Sequence, residues 1–291
     1  MTQCTNQWGE AFLASEALAA GALTPHQLRS RYRRLFPDVY TQREARLTLG
    51  QRVHAAWLWS RRRGTIAGSA AAAVHGTKWI DVDTPVELVH TNPRPPDGIV
   101  TRRCLLFDDE VTTIDGRPVT TPERTAFDIG RRGSIMSTVP RLDALVNATG
   151  IKLDDIARLA ARHPGARGLR LLETVLELVD GGAQSPKESQ VRLWLIEAGF
   201  PVPHTQIPVC DSDGVPFAFL DMGWPEWLLA VEYEGEHHRE RFRYTGDIHR
   251  LEKVQQQWSV VRLTADDTQV SAIHRVHRAV SALGVNCPCR L

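Results

Sequence analysis

Three carboxylates stand on and beside two apolar stretches near the C-terminal end of the chain. Asp221 ends an extended run that begins at residue 215, a Gly-Trp-Pro-Glu turn follows, and Glu232 and Glu234 lie in the next run, residues 227–234. An unpaired ionised carboxylate on a buried strand is costly, because the strand interior cannot solvate the charge. A compensating charge is therefore needed, and a divalent metal ion is the natural candidate.

The spacing of these acids supports a metal site. Side chains alternate along a strand, so Glu232 and Glu234 point to one face and Tyr233 points to the other. In an antiparallel hairpin closed by the turn, Asp221 lies near Glu232. Because Mg²⁺ takes carboxylates together with water and phosphate oxygens, we predict that Mg²⁺ or Mn²⁺ binds Asp221, Glu232 and the carbonyl of Tyr233. The alternative is a set of solvated acids at exposed strand ends.

Glu188 is a further acidic candidate, at the start of a predicted helix. Ser185, Pro186 and Glu188 match a capping box with proline at the first helical position. Glu188 also shares a helical face with Arg192, so it can point toward the same site. A capping role and a role in the site are both open, and they do not exclude each other.

An acid on a helix followed by Asp-x10-Glu-x-Glu across a hairpin resembles the PD-(D/E)XK nuclease superfamily. The similarity is greatest to the branch that is similar to very-short-patch-repair endonucleases. Its motifs match Val-Glu-Tyr-Glu-Gly-Glu-His-His at residues 231–238, Asp247 to Arg250, and Trp-Ser-Val-Val-Arg at residues 258–262. The resemblance covers residues 184–283 and implies metal-assisted hydrolysis of DNA phosphodiester bonds.

The sequence departs from that superfamily at Glu234, where a lysine usually orients or activates the attacking water. Lys253 or His237 would then supply the positive charge or the proton relay, and Arg250 with Lys253 would neutralise the phosphate. The catalytic set implied by the resemblance is Glu188, Asp221, Glu232, Glu234, His237 and Lys253. Loss of the lysine favours the alternative, a non-catalytic DNA-binding regulator or antitoxin with a degenerate nuclease fold.

A basic helix is predicted near the N-terminus. Residues 10–20 have helical periodicity that stops at Gly21, residues 24–28 form the capped start of a second helix, and residues 35–40 are extended. This order is typical of a winged helix-turn-helix. Five side chains of the second helix are then expected to contact double-stranded DNA, mostly at its phosphates: Gln27, Arg29, Arg31, Arg33 and Arg34. A solvated helix face is the alternative.

The same region resembles the N-terminal domain of AbiEi-type antitoxins and related regulators. The matching residues are Gly-Ala-Leu-Thr at 21–24, Val-Tyr at 39–40, Ser-Ala-Ala-Ala-Ala-Val-His-Gly at 69–76 and Val-Thr-Thr-Pro-Glu-Arg-Thr-Ala-Phe-Asp at 119–128. The likeness covers residues 8–132 and implies DNA binding and, under the antitoxin alternative, a toxin partner.

Composition bounds the remaining possibilities. With 42% hydrophobic and 24% charged residues in 291, the chain has the composition of a globular protein long enough for two domains. No stretch approaches the ~20 apolar residues that cross a bilayer. The first ten residues lack a signal pattern, so we expect a cytoplasmic protein that does not act at a membrane.

We expect an α/β chain built from a winged helix-turn-helix with a small α/β region, a helical linker and a restriction-endonuclease-like mixed sheet flanked by helices. The strands expected in the α/β region are residues 85–89 and 99–107. The expected domains are residues 1–60 (winged helix-turn-helix), 61–135 (α/β extension), 136–183 (linker) and 184–291 (nuclease-like domain). A homodimer remains open.

Overall fold

The structure is a computed structural model that describes residues 11–235, 252–285 and 289. The described residues form a mixed α/β fold with three sheets, which confirms the predicted fold class at that level. The chain divides into two compact units, residues 1–132 with 148–173, and residues 133–147 with 174–291. The helical segment expected at 136–183 therefore contributes to both units.

The first unit begins with a small sheet and two short helices. Its elements are β1 (Phe12–Leu13), α1 (Ala14–Ala19), α2 (Pro25–Arg31), β2 (Tyr32–Phe36) and β3 (Val39–Gln42), with antiparallel strand order β1-β3-β2. Gly21 has a φ of +66°, a conformation that glycine adopts without steric cost, and it separates the two helices. Thr24 caps α2, because its hydroxyl accepts from the N–H of Gln27.

A five-stranded sheet and its accompanying helices complete the first unit. The elements of this part are α3 (Leu49–Trp59), β4 (Thr65–Ala67), α4 (Gly68–Val74), β5 (Val86–Val89), β6 (Ile99–Arg102), β7 (Val111–Ile114), β8 (Arg117–Thr120), α5 (Pro122–Gly130) and α7 (Leu153–Ala161). The strand order is β6-β5-β4-β8-β7, and the pairs β5–β6 and β4–β8 are parallel. Ile66, Leu88 and Val119 from three of these strands are fully buried in its core.

The second unit contains a four-stranded sheet with helices. Most of α6 (Ile135–Thr149) and the end of α8 (Leu169–Leu176) belong to it, with α9 (Pro186–Glu197), β9 (His204–Cys210), β10 (Pro216–Trp224), β11 (Leu229–Glu234), β12 (Ser259–Thr264) and α10 (Gln269–Ala282). The order is β12-β11-β10-β9; β11 and β12 are parallel, and the other pairs are antiparallel. Residues 252–257 are also helical.

Two clusters of buried apolar side chains pack against this sheet. Trp224 is fully buried and packs with side chains of α9 and α10, among them Leu195 and Val276. Trp258 and Val254 pack in a second cluster with Ala230 of β11. Because side chains alternate along β11, its residues reach both clusters.

The predicted hairpin is present, with bounds that differ from the expected ones. β10 continues three residues past Asp221, and Met222 pairs with Val231 and Trp224 with Leu229. A Cβ at Gly223 would lie 2.2 Å from the Leu229 carbonyl oxygen, so this close pairing requires glycine. Asp221 therefore lies inside a strand, where the sequence had predicted a strand end.

Two other predicted bounds are wrong. Helix α2 ends at Arg31, and Arg33 and Arg34 lie on β2, because Tyr32 is extended and pairs with Gln42 of β3. The strand expected at 99–107 ends at Arg102, where its parallel partner β5 also ends. In both cases pairing with another strand fixes the limit. Within the described residues, no helix has both the length and the apolar character to cross a membrane.

Candidate functional site

The start of α9 places Glu188 in the interior of the second unit. Ser185 Oγ accepts a hydrogen bond from the backbone N–H of Glu188 at 3.2 Å, and Pro186 occupies the first helical turn. The Glu188 carboxylate accepts from the backbone N–H of Gln184 at 2.7 Å, one residue before the cap expected from a standard capping box. Glu188 is only 5% exposed, so the residue that helps to cap the helix is also a buried acid.

Asp221, on β10, is a second acid and is half-buried. Its Oδ2 atom accepts a hydrogen bond from the backbone N–H of Tyr233 on β11 at 2.9 Å. Burial, followed by the negative charge of Glu188, raises the pKa of Asp221 from the ordinary 3.8 to about 7. The Tyr233 N–H acts in the opposite direction, and Glu232 adds a smaller upward effect. Glu188 of α9 and Glu232 of β11 therefore both act electrostatically on Asp221 of β10.

Glu232 and Glu234 meet a positive charge that the site prediction did not include. In the parallel pair β11–β12, Glu232 lies opposite Arg262. The Arg262 Nε atom is 3.5 Å from Glu232 Oε2 and 3.4 Å from Glu234 Oε1. These three side chains are about a quarter to a third exposed, at 23–33%. The guanidinium thus bridges the two glutamates on the face that their alternation predicts.

The sequence contained a signal for Arg262 but no way to place it. Arg262 ends the Trp-Ser-Val-Val-Arg stretch at residues 258–262, which marks a strand. Its position opposite Glu232 depends on the parallel pairing of β12 with β11, and 23 residues separate the end of β11 at Glu234 from Trp258. Register between strands so far apart in sequence cannot be read from local pattern.

Of the remaining predicted catalytic and DNA-contacting residues of this unit, the described Lys253 does not pair with the acids. Lys253 is exposed, and its Nζ lies 6.0 Å from the ring centroid of Phe217. The group of Tyr233 that faces Asp221 is its N–H, a donor, whereas the prediction used its carbonyl. His237 and Arg250 lie outside the described residues.

The described acids do not form a ready-made metal site. Among residues 11–235, 252–285 and 289, no group of three His, Cys, Asp or Glu side chains is arranged to hold a metal ion. Arg262 already supplies positive charge to Glu232 and Glu234. Binding of Mg²⁺ or Mn²⁺ by Asp221, Glu232 and the Tyr233 carbonyl stays a prediction.

A buried ion pair fixes the helix that carries Glu188. Arg192 Nη2 lies 2.8 Å from Asp143 Oδ2 of α6, and the two side chains are only 2% and 1% exposed. Arg192 also donates to the Leu178 carbonyl at 2.7 Å. Burial raises the pKa of Asp143, and the Arg192 charge opposes that effect. Arg192 shares the face of Glu188 as predicted, but its partner lies 49 residues away in sequence.

At the N-terminal end, three of the five predicted DNA-contacting residues are available to a ligand. Arg29, Arg31 and Arg34 are exposed, and their guanidinium groups make no hydrogen bond or ion pair with other residues of the described chain. These three arginines are here called the basic surface. Gln27 is engaged in capping, since its Oε1 accepts from Thr24 N at 2.8 Å, and Arg33 donates to the Ala45 carbonyl at 3.0 Å.

Comparison with known proteins gives a match for the middle of the chain. Residues 41–178 match the family described as the AbiEi antitoxin C-terminal domain. The AbiEi-type resemblance is thus supported, although the matched domain is the C-terminal one of that family, where an N-terminal domain had been expected. The match covers the five-stranded sheet and stops before α9, so it contains none of Glu188, Asp221, Glu232 and Glu234.

Two relatives match over a longer span. Both are described as uncharacterised proteins of Mycobacterium tuberculosis, one from strain CDC 1551 / Oshkosh and one from strain H37Rv. Each is 29% identical over 205 residues, which covers 68% of this chain and 73% of the relative. No solved structure gives a significant match.

Proposed function

We propose that this chain is a DNA-binding regulator of the antitoxin type, with a C-terminal unit that resembles a nuclease but does not cleave DNA. The observation that carries the proposal is the match of residues 41–178 to an antitoxin domain family. The basic surface, which lies on the helix and strand just before the matched segment, supports the DNA-binding part. The partners are double-stranded DNA and a toxin protein.

The order of elements at the N-terminal end supports a winged helix-turn-helix. Helices α1 and α2 are joined by the turn at Gly21, and the hairpin β2–β3 follows directly, as a wing would. In this proposal α2 enters the major groove, and Arg29, Arg31 and Arg34 contact phosphates. Such contacts position a protein on DNA and give salt-dependent affinity.

The residues around Glu232 support a non-catalytic second unit. Glu234 stands where the resembled nucleases have a lysine, and Arg262 binds both Glu232 and Glu234. A guanidinium in this position offsets part of the negative charge of the two glutamates and competes with a metal for one oxygen of each. The unit then keeps a nuclease-like layout of α9, β10, β11 and β12 while serving as a binding module.

One experiment separates binding from cleavage. The full chain is incubated with supercoiled plasmid and either Mg²⁺ or Mn²⁺, and the products are separated by electrophoresis before and after removal of protein. We expect retarded plasmid that returns to the supercoiled position after deproteinisation. Nicking or linearisation that Asp221→Asn abolishes would replace the proposal by the second candidate.

That second candidate is a metal-dependent DNA endonuclease, and one specific observation favours it. The charge of Glu188 raises the pKa of the half-buried Asp221, with Glu232 adding to it. Mutually repelling acids at one place are typical of active sites. Glu188, Asp221 and Glu232 would hold the cation after a rearrangement that releases Arg262, and Glu188→Gln would then impair cleavage as Asp221→Asn does.

The toxin partner has its own test. We expect a gene adjacent to that of this chain to inhibit growth when expressed alone and to be tolerated when both are expressed together. If no neighbouring gene product is toxic, or if toxicity persists in the presence of this chain, the antitoxin part of the proposal fails while DNA binding stands.

A further inference from the structure

A cavity of about 850 Å³ lies in the first unit, where α3, β5 and β6 end. Small-molecule sites typically have volumes of roughly 300–1,000 Å³. β5 and β6 are parallel, and both present their carboxyl ends to the cavity, which is the edge where open α/β sheets bind ligands. The side chains that matter in its wall are Trp59, Arg61, Arg63, His90, Arg102 and Arg103.

The cavity wall is basic, and none of the described residues that line it is acidic. Three of its arginines are held by neighbours, in the contacts Arg61 to Asp38 (2.8 Å), Arg102 to Glu87 (3.2 Å) and Arg103 to the Thr91 carbonyl (2.9 Å). Arg63 is exposed, and its guanidinium has no hydrogen-bond or ion-pair partner among the described residues. One cation is therefore available to a ligand, beside three that are already positioned.

Two aromatic side chains share the same wall. The rings of Trp59 and His90 have centroids 5.8 Å apart and are tilted by 57° to each other. The His90 Nδ1 accepts a hydrogen bond from the backbone N–H of Asn92 at 3.1 Å, so a neutral ring carries its proton on Nε2. Burial and the charge of Arg63 both lower the pKa of His90. The ring is therefore neutral at pH 7 and offers an uncharged aromatic face.

Helix-end electrostatics explains only part of this cluster. Basic residues commonly follow the C-terminus of a helix, and Arg61 and Arg63 follow α3. Arg102 and Arg103 come from the end of β6, which no helix dipole requires. Arg61 and the neighbouring Arg62 also adopt left-handed backbone conformations, with φ of 58° and 63°, which residues other than glycine rarely adopt. The arginines that line the cavity thus come from two elements, the end of α3 and the end of β6.

We propose that this cavity binds a nucleoside phosphate, with the base on Trp59 and His90 and the phosphates on Arg63 and its neighbouring arginines. Aromatic faces accept any base, and guanidinium groups suit phosphate oxygens. The nucleoside phosphate can be a free nucleotide or a unit of a single-stranded nucleic acid. This site is separate from the basic surface and does not depend on the proposed function.

The test is calorimetric titration of the full chain with ATP, CTP, inorganic tripolyphosphate and a short oligothymidylate. We expect ATP or the oligonucleotide to bind about tenfold more tightly than tripolyphosphate, because stacking adds to phosphate recognition. Binding of ATP identifies a free nucleotide as the ligand, and binding of the oligonucleotide alone identifies a nucleic-acid strand. Absence of binding by all four probes, or equal affinity for tripolyphosphate, would overturn the proposal.

Variants then locate the site. Arg63→Gln is expected to weaken binding about tenfold, since a charge-assisted contact is lost. Arg46→Gln makes the same charge change at an exposed arginine of the same unit that does not line the cavity, and it should bind as the unaltered chain does. His90→Ala should remove the advantage of ATP or the oligonucleotide over tripolyphosphate. Equal effects of Arg63→Gln and Arg46→Gln would place binding elsewhere.

Discussion

The carboxylate of Asp221 accepts a hydrogen bond from the backbone N–H of Tyr233 at 2.9 Å, which ties β10 to β11 at the position of a half-buried acid. This bond favours the ionised carboxylate, yet burial and the charge of Glu188 outweigh it. Asp221 is therefore held in a fold that keeps its carboxyl protonated up to about pH 7. Asp221 is better explained as a desolvated acid repelled by Glu188 than as a solvated strand end.

The raised pKa of Asp221 predicts a pH-dependent gain in stability for Asp221→Asn. The folded-state pKa of about 7 exceeds the ordinary 3.8, so ionisation opposes folding; the penalty is complete above pH 7, shrinks as pH falls and disappears near the ordinary value. Asparagine stays neutral and can still accept from Tyr233. We expect a gain on the order of 3 kcal/mol in unfolding free energy above pH 7, and almost none near pH 4.

Chemical denaturation at several pH values measures this difference. Asp213→Asn, an exposed aspartate in the turn between β9 and β10, is the matched control and should change stability little at any pH. An Asp221→Asn variant that is less stable than the unaltered chain above pH 7 would show that the ionised carboxylate contributes favourably to the fold.

The buried pair of Arg192 and Asp143 predicts a large loss of stability for Arg192→Met. The change leaves an uncompensated carboxylate in the interior, which typically costs about 3–5 kcal/mol. Lys187→Met on the same helix removes an exposed cation and should cost well under 1 kcal/mol. Thermal or urea unfolding gives both values, and adding Asp143→Leu to Arg192→Met should recover much of the loss. A single-variant loss no larger than that of Lys187→Met would refute this role.

The contacts of Arg262 predict how divalent cations act on the fold. In the unaltered chain the guanidinium pairs with both Glu232 and Glu234 and offsets part of their charge, so Mg²⁺ should leave the melting temperature unchanged. Arg262→Gln should lose about 1 kcal/mol, since the pair is partly exposed, and should then gain stability on addition of Mg²⁺. Arg278→Gln, an exposed arginine of α10, is the control. If Mg²⁺ stabilises the unaltered chain as strongly as the variant, the Arg262 guanidinium does not take the place of a divalent metal ion.

Local pattern was sufficient for the hairpin and the helix caps. The turn before β11, the cap at Thr24 and the start of α9 at Ser185 depend on neighbouring residues, and the structure contains each of them. The end of α2 was misplaced, because Tyr32 has no breaker beside it and becomes extended only through pairing with β3. Propensity is weak where strand pairing decides.

The partners of the charged residues could not be predicted from sequence. Arg192 meets Asp143 across 49 residues, and Arg124 binds Glu110, 14 residues earlier, and Asp128 in the interior of the first unit. Such pairs depend on how helices and strands pack, which periodicity does not encode. Glu232 and Glu234 were identified because acids are unusual on an apolar strand. Arg262, the cation that pairs with them, lies on another strand, β12.

The central claim, DNA binding through the basic surface, is tested most directly by the salt dependence of duplex binding. The affinity of the full chain for a fluorescent duplex is measured by anisotropy over a range of salt concentrations. It is then compared with that of the triple variant Arg29→Gln, Arg31→Gln, Arg34→Gln. Each lost phosphate contact should reduce the slope of log affinity against log salt by about 1, so we predict a slope shallower by about 3 and weaker binding. The same slope and affinity for both proteins, or no duplex binding by the unaltered chain at low salt, would contradict the account.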